Sequence, residues 1–545
     1  MESLPLAGQW RPEEPIKAHP AMKPLRSLLC LLPALLCAQG TPSGAELYRQ
    51  YCAACHGQEG RGIANVFPPL AGSDFLATQR AKALRAPLEG LRGDVVVNGQ
   101  KYNGWMPPVT LTDEQLAAVF GYVATQWGNA LPAPSVREIA ELRAQTKYPT
   151  YAQLLAAMSP DVLPAAPAGW KFTVAAPLDF QPTRLVAHPD GQRVVVLAAN
   201  GDLWTWHATT REVKLLWAGK DILDPKLGDA TCLGLGTDDQ GRLYFISNQG
   251  NKSKQPVENE VTIWRTEPWT GEGSWTKPTA WFQTSYHFGV GPYNHGVNHI
   301  AQGPDGLLYV SSGSRTDGGE EGNSPNYDKS GENPLTATLW RLDPKLAHPR
   351  IEIFANGLRN TYHFMWNRQG RLLGVENGTD ADTPEELNLI ERGRHYGFPY
   401  EFGDWTTKPY PHTPDAPKDL VFTRPFVNLG PDANDRGGRA TFTPHSSPSA
   451  IVELGDDWPA PLGGTYLITR FGNYLKDQSG FDLLQARLDL DKKEARVTTL
   501  AAPLARPISM VALPGHRLLI AEYCRGNSLS AGTSTPGRLI LLEPK

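Results

Sequence analysis

The sequence predicts two domains of different class: a small all-α domain at the amino end, then an all-β propeller of six blades. Three observations lead there. A short helical region holds a Cys-x-x-Cys-His motif. From Trp170 onward, a turn followed by a bulky alternating strand recurs six times. Gly 53 and Pro 48 in 545 residues suit turn-rich β structure better than long helices.

Length and charge bound the rest. A chain of 545 residues exceeds one ordinary domain. Its 52 basic and 56 acidic side chains leave a net charge of -4, which argues against nucleic acid as a partner and gives no polybasic membrane signal.

Residues 1–38 read as leader and signal peptide. Met22-Lys23-Pro24-Leu25-Arg26 is a basic start, Leu28 to Leu36 is apolar, and Leu36-Cys37-Ala38 offers a cleavage site before Gln39. The apolar run is too short to span a bilayer. The protein is therefore expected in the periplasm or outside the cell, and the preceding 21 residues suggest a start codon placed too early.

Residues 39–130 form the predicted helical domain. Cys52-Ala53-Ala54-Cys55-His56 is the attachment motif of a c-type haem: two thiols bind the macrocycle and His56 reaches the iron. Met106, followed by Pro107 and Pro108, is the candidate sixth ligand, and a thioether there favours electron transfer. Ala45 to Tyr51 is expected to be a helix. Thr112-Asp113-Glu114-Gln115 reads as a capping box opening another, with Leu116, Val119, Phe120 and Val123 on one stripe. From the Cys-x-x-Cys-His start through the Met loop to this helix, the segment resembles a class I cytochrome c. Residues 131–168, rich in Ala and Pro, read as a surface-packed linker with a short helix near Val136 to Arg143.

Residues 169–545 are the predicted propeller. The repeat appears at His188-Pro189-Asp190-Gly191, Asp239-Gln240-Gly241, Gly303-Pro304-Asp305-Gly306, Asn367-Arg368-Gln369-Gly370, Leu462-Gly463-Gly464 and Pro514-Gly515-His516. The wide gap between the fourth and fifth copies leaves room for long loops or for an unseen repeat. Cys232 and Cys524 could form a disulfide or remain two buried thiols.

Several motifs lie outside the repeats: His295, then Gly303-Pro304-Asp305-Gly306 with Leu308-Tyr309-Val310, Gly357-Leu358-Arg359-Asn360, Glu386-Leu387-Asn388-Leu389-Ile390 and Tyr396-Gly397-Phe398-Pro399. In this order they resemble the quinoprotein sugar dehydrogenases of the glucose/sorbosone type. The resemblance implies a six-bladed propeller holding pyrroloquinoline quinone (PQQ) and Ca2+, which oxidises an aldose or related alcohol. It implies His295 as general base, and Asp229, Asn294, Arg359, Asn360, Arg470 and Arg506 at cofactor-contacting positions. It implies Gly378 and Thr379 as main-chain calcium ligands, and Glu385 and Glu386 at a second calcium. Three residues depart from the family pattern: Asp229, Asn294 and Leu358.

Joined to a haem, such a site implies a dehydrogenase with its own electron outlet. Electrons would pass on to an external acceptor, a cytochrome or a terminal oxidase. Two other classes compete: a calcium-dependent lactonase-type hydrolase, and a glycan-binding propeller carrying an electron-transfer cytochrome. Lactone hydrolysis without quinone, or binding without turnover, would favour them.

Overall fold

The structure is a computed structural model. It describes residues 43–62, 67–89, 91–106, 109, 111–145, 163–271, 273, 275–290, 294–321, 331–381, 383–403, 408, 410–430, 441–472, 479–525 and 536–545. The predicted leader, residues 1–38, lies outside the described residues.

The amino-terminal domain is built on helices α1 (Gly44–Tyr51), α2 (Ala53–His56), α3 (Asp74–Thr78), α4 (Arg80–Glu89), α5 (Asp113–Thr125) and α6 (Val136–Ala144). Both predicted starts are seen. Ser43 and Glu46 form a capping box on α1, and Thr112 and Gln115 form one on α5. The apolar stripe of α5 faces inward: Leu116, Val119 and Val123 are buried beside Leu47 and Tyr48 of α1. Tyr48 meets Trp127 at 4.9 Å between ring centres.

Two features go beyond the sequence pattern. An antiparallel hairpin, β1 (Leu91–Val97) and β2 (Gln100–Met106), sits within the otherwise helical domain. The short helix of the expected linker packs into this domain. Ile139 of α6 is fully buried in its core, and Arg143 pairs with Asp113 at 2.6 Å. Ile139 and Leu142, too weak a signal in sequence, anchor a short helix whose opposite face is charged.

From Trp170 the chain forms six sheets. Their inner strands are Pro182–Ala187, Ala230–Thr237, Val297–Gln302, Thr361–Trp366, Pro448–Glu453 and Pro507–Leu513, and each packs on the next until the sixth meets the first. The ring is closed within one sheet, where the first propeller strand, Trp170–Pro177, pairs antiparallel with the last, Arg538–Pro544. This closure leaves no open edge between blades.

The repeated turn links each of the first four inner strands to its neighbour. Asn367 shows why Asn or Asp recurs there. Its side-chain oxygen accepts from the backbone N–H of Gln369 (3.1 Å) and Arg371 (2.8 Å), and Gly370 supplies the left-handed conformation at φ 71°. The gap after the fourth copy holds long connections and no seventh sheet among the described residues. The fourth sheet has three strands, and Val427–Asn428 adds to the fifth in parallel.

Cys232 and Cys524 are both buried and form no disulfide, the second of the two alternatives. Burial pushes the Cys232 thiol pKa up, which keeps it protonated.

Leu541 lies in the closing strand and is 1% exposed. Leu541→Ala should destabilise the propeller by about 2–5 kcal/mol, read from its denaturation midpoint. A midpoint unchanged within about 0.5 kcal/mol would contradict the closure as a stabilising element.

Candidate functional site

The helical domain holds an apolar pocket whose walls include Cys52, His56 and Met106. His56 Nδ1 lies 2.9 Å from the Pro68 carbonyl oxygen. A carbonyl can only accept, so Nδ1 carries the proton and Nε2 keeps its lone pair for a metal. Burial also lowers the imidazole pKa, holding the ring neutral. Leu116, Val119, Phe120 and Val123 line the same cavity, so the predicted stripe is both core and cofactor wall. Met106 sits at the end of β2, where pairing with Leu91 fixes it. The sequence placed it in a proline-stiffened loop, but Pro107 and Pro108 lie outside the described residues.

This donor set fits a c-type haem: Cys52 and His56 on one short helix, and a thioether on the wall of an apolar chamber. Met106→Ala should lower the reduction potential and open a position to added imidazole. An unchanged potential with no imidazole binding would contradict Met106 as the sixth ligand.

The second site follows from propeller topology. Asp229, His295, Asn360 and Arg506 stand immediately or two residues before the inner strands of the second, third, fourth and sixth sheets. Gly378 follows Leu372–Glu376, and Arg470 ends Tyr466–Arg470, both second strands running antiparallel to their inner neighbours. All therefore fall at one end of the ring, opposite the repeated turns.

Within that rim, the loop after Leu308–Ser312 ties the residues together. Gly313 is the point of closest approach. A Cβ there would meet the His295 Cβ at 2.5 Å and the Asn360 Oδ1 at 3.0 Å. The half-buried His295 is held through Nδ1 by the Ser314 carbonyl, at 3.1 Å, and by its hydroxyl, at 3.0 Å. Asn360 accepts from Asn298 Nδ2 at 2.6 Å and donates to Asn377 Oδ1 at 3.1 Å.

The predicted arginines are largely committed to internal partners. Arg359 forks onto Asp317, giving Nη2 to its Oδ1 at 2.6 Å and Nε to its main-chain carbonyl at 3.1 Å. Asp317 also accepts from Tyr410 Oη and the Asp380 N–H. Arg470 pairs with Asp482 through two bonds of 2.9 and 2.5 Å. Arg506 lies over the rings of Phe471 and Phe481, at 5.1 and 4.8 Å.

The remaining predictions fare unevenly. Asp229 is exposed. Asn294 accepts from the Gly289 N–H at 3.0 Å and so shapes the loop before His295. Leu358, where the family pattern has a polar residue, is 1% exposed in the core around Phe354 and Tyr396. Glu385 and Glu386 do not share one point. Glu385 accepts from the Gly378 N–H at 2.9 Å, whereas Glu386 accepts from Asn388 and Gly403. Neighbouring strand residues point to opposite faces, so this separation is expected.

Burial raises the Glu385 pKa, pushes Glu386 to about 7 and, with Glu386 beside it, raises that of Glu376. Thr379 is buried, its N–H and hydroxyl both bonded to Thr383. Among the described residues, no cluster of three or more His, Cys, Asp or Glu side chains converges on a metal position.

Sequence reasoning missed Ser314 and Asp317. The Gly313-Ser314-Arg315-Thr316-Asp317-Gly318-Gly319 run was their only signal, and it reads equally well as a solvated turn.

These two sites define an electron-carrying haem domain joined to a propeller whose polar rim holds ion-paired arginines. Residues 39–123 match the family described as cytochrome C oxidase, cbb3-type, subunit III, and residues 181–418 match Glucose / Sorbosone dehydrogenase. Cytochrome c-552 of Thermus thermophilus is 40% identical over 138 residues, covering 24% of this chain and 91% of that protein. The cytochrome c subunit of a quinone alcohol dehydrogenase of Gluconacetobacter polyoxogenes is 30% identical over 115 residues, 18% of this chain and 22% of that one. A crystal structure of the soluble aldose sugar dehydrogenase of Escherichia coli, in the apo-form, covers 69% of this chain and 100% of its own. Its identity is 14% and its TM-score 0.49. The chain belongs to the cytochrome c family through its amino-terminal domain, carries a match to Glucose / Sorbosone dehydrogenase over residues 181–418 of its propeller, and is an oxidoreductase.

Replacing Asp317 with Asn would leave Arg359 buried without its counter-charge. Asp317→Asn should destabilise the propeller by about 3–5 kcal/mol in denaturant titration. A loss below about 1 kcal/mol, the range of an exposed pair, would contradict this assignment.

Proposed function

We propose that the propeller rim oxidises a sugar or related alcohol with PQQ as acceptor, and that the electrons leave through the haem of the same chain to an external carrier. The observation that carries this reading is the convergence of His295, Arg359, Asn360, Gly378, Arg470 and Arg506 on one end of the ring. Relatives of the haem domain add support. They include cytochrome subunits named for a quinone alcohol dehydrogenase and a fructose dehydrogenase. The basic and apolar run from Met22 to Ala38 supports action in the periplasm.

The donor chemistry suits a flat, polyanionic quinone. Gly313 leaves bare backbone between His295 and Asn360, and Arg506, buried over the rings of Phe471 and Phe481, places positive charge behind the rim. When bound, the quinone supplies a two-electron acceptor for hydride. His295 supplies the base. Its Nδ1–H is held by the Ser314 carbonyl, so Nε2 is the basic nitrogen of the ring, the atom that would take the proton of a substrate hydroxyl. The main-chain carbonyls of Gly378 and Thr379 would hold calcium, a hard cation suited to oxygen donors.

The test is haem reduction by the chain loaded with quinone and calcium, over a panel of aldoses and alcohols. His295→Gln should slow it by about 100- to 10,000-fold while leaving chemical reduction of the haem unchanged. Silence across the whole panel, or lactone hydrolysis independent of quinone, would sink this reading.

A further inference from the structure

Beneath the rim lies a charge the family resemblance does not assign. Arg184, on the first inner strand, is fully buried. It reaches across to three other blades. Nε donates to the Leu233 carbonyl at 3.1 Å, and Nη2 donates to those of Asn298 at 3.1 Å and Tyr362 at 2.8 Å. The guanidinium lies 4.5 Å from the Tyr362 ring centre. Its Nη1 has no hydrogen-bond partner, and no carboxylate pairs with it among the described residues.

The surrounding groups do not cancel this charge. His299 and His363 stack at 4.3 Å between ring centres, and burial lowers both imidazole pKa values, leaving them neutral. His299 Nε2 faces the Phe364 carbonyl at 3.2 Å, so it carries the proton. Burial raises the Tyr362 phenol pKa, so that group is neutral as well. Arginine stays charged under any of these conditions. The result is one fixed positive charge in a low-dielectric interior, the setting in which a charge acts over the longest distance.

Its path to the rim is a single residue. Asn298 accepts from Arg184 through its carbonyl and donates through Nδ2 to Asn360, which meets His295 over Gly313. The contrast with the rim arginines is what matters. Arg359 and Arg470 are paired with Asp317 and Asp482.

We propose that Arg184 is a positioning residue acting through its charge: from under the floor it makes the rim select an occupant that carries, or gains on reduction, negative charge. This rests on the quinone reading and deepens it. It assigns part of the recognition of an anionic acceptor to a residue that does not touch it.

The test compares binding of free-acid PQQ and its neutral methyl ester to the full haem-loaded chain, by fluorescence quenching. Two variants separate charge from hydrogen bonding. Arg184→Gln keeps donors and loses the charge, whereas Arg184→Lys keeps the charge and loses the fork. The preference for acid over ester should fall about tenfold in Arg184→Gln and persist in Arg184→Lys. If the reduced form is favoured by a similar factor, the two-electron midpoint potential of the bound quinone should drop by about 30 mV in Arg184→Gln.

A preference unchanged in Arg184→Gln, or lost equally in both variants, would overturn the charge role and leave the quinone reading intact. Failure of the wild type to bind either form would overturn both. Should neither variant fold, equal wild-type affinity for acid and ester would still exclude a selecting cation.

Discussion

The pairing of Trp170–Pro177 with Arg538–Pro544 is the constraint on which the rest depends. It joins the two ends of a chain segment of more than 370 residues into one sheet and so closes six inner strands into a ring. Once the ring is closed, every inner strand starts at the same end. Residues far apart in sequence, such as Asp229 and Arg506, then share one rim without any local signal that they should.

The second theme is how buried charge is handled. At the rim, Arg359 and Arg470 sit against Asp317 and Asp482, and such pairs specify geometry more than they add stability. Arg184 is handled differently, by main-chain carbonyls and an aromatic face. Asn298 and Asn360 connect the two arrangements, so the floor of the rim and its walls are one hydrogen-bonded body. The haem domain uses the same logic on a smaller scale. A carbonyl from Pro68 fixes the tautomer of His56, as a carbonyl from Ser314 does for His295.

Much of the fold was legible in the sequence. The helix from Ala45 to Tyr51, the capping box at Thr112 and the stripe from Leu116 to Val123 are local patterns, and local patterns survive folding. The repeated turn was legible because its chemistry is self-contained: Asn367 with Gly370 needs no distant partner. The α1-to-haem-motif order and the count of six sheets follow from such signals. The hairpin ending at Met106 was missed although Asn98-Gly99, both at positive φ, is a two-residue hairpin turn; Arg92, Asp94 and Lys101 obscure the alternation of its strands. Nor was the placement of α6 legible, which depends on Ile139 and Leu142 and on the pairing of Arg143 with the distant Asp113. At the rim, the resemblance named His295, Arg359 and Asn360 but not what holds them. Asp317 lies 42 residues from Arg359 in sequence, and Arg184 lies 114 from Asn298. Such contacts are made by topology and leave no periodicity to read.

The central claim is that electrons released at the rim reach the haem of the same chain. Stopped-flow haem reduction in quinone-loaded protein, at saturating sugar and over a wide range of protein concentrations, tests this most directly. Transfer within one chain predicts a first-order rate constant that does not change with protein concentration. A rate that rises in proportion to concentration, or a quinone that is reduced while the haem stays oxidised, would contradict it.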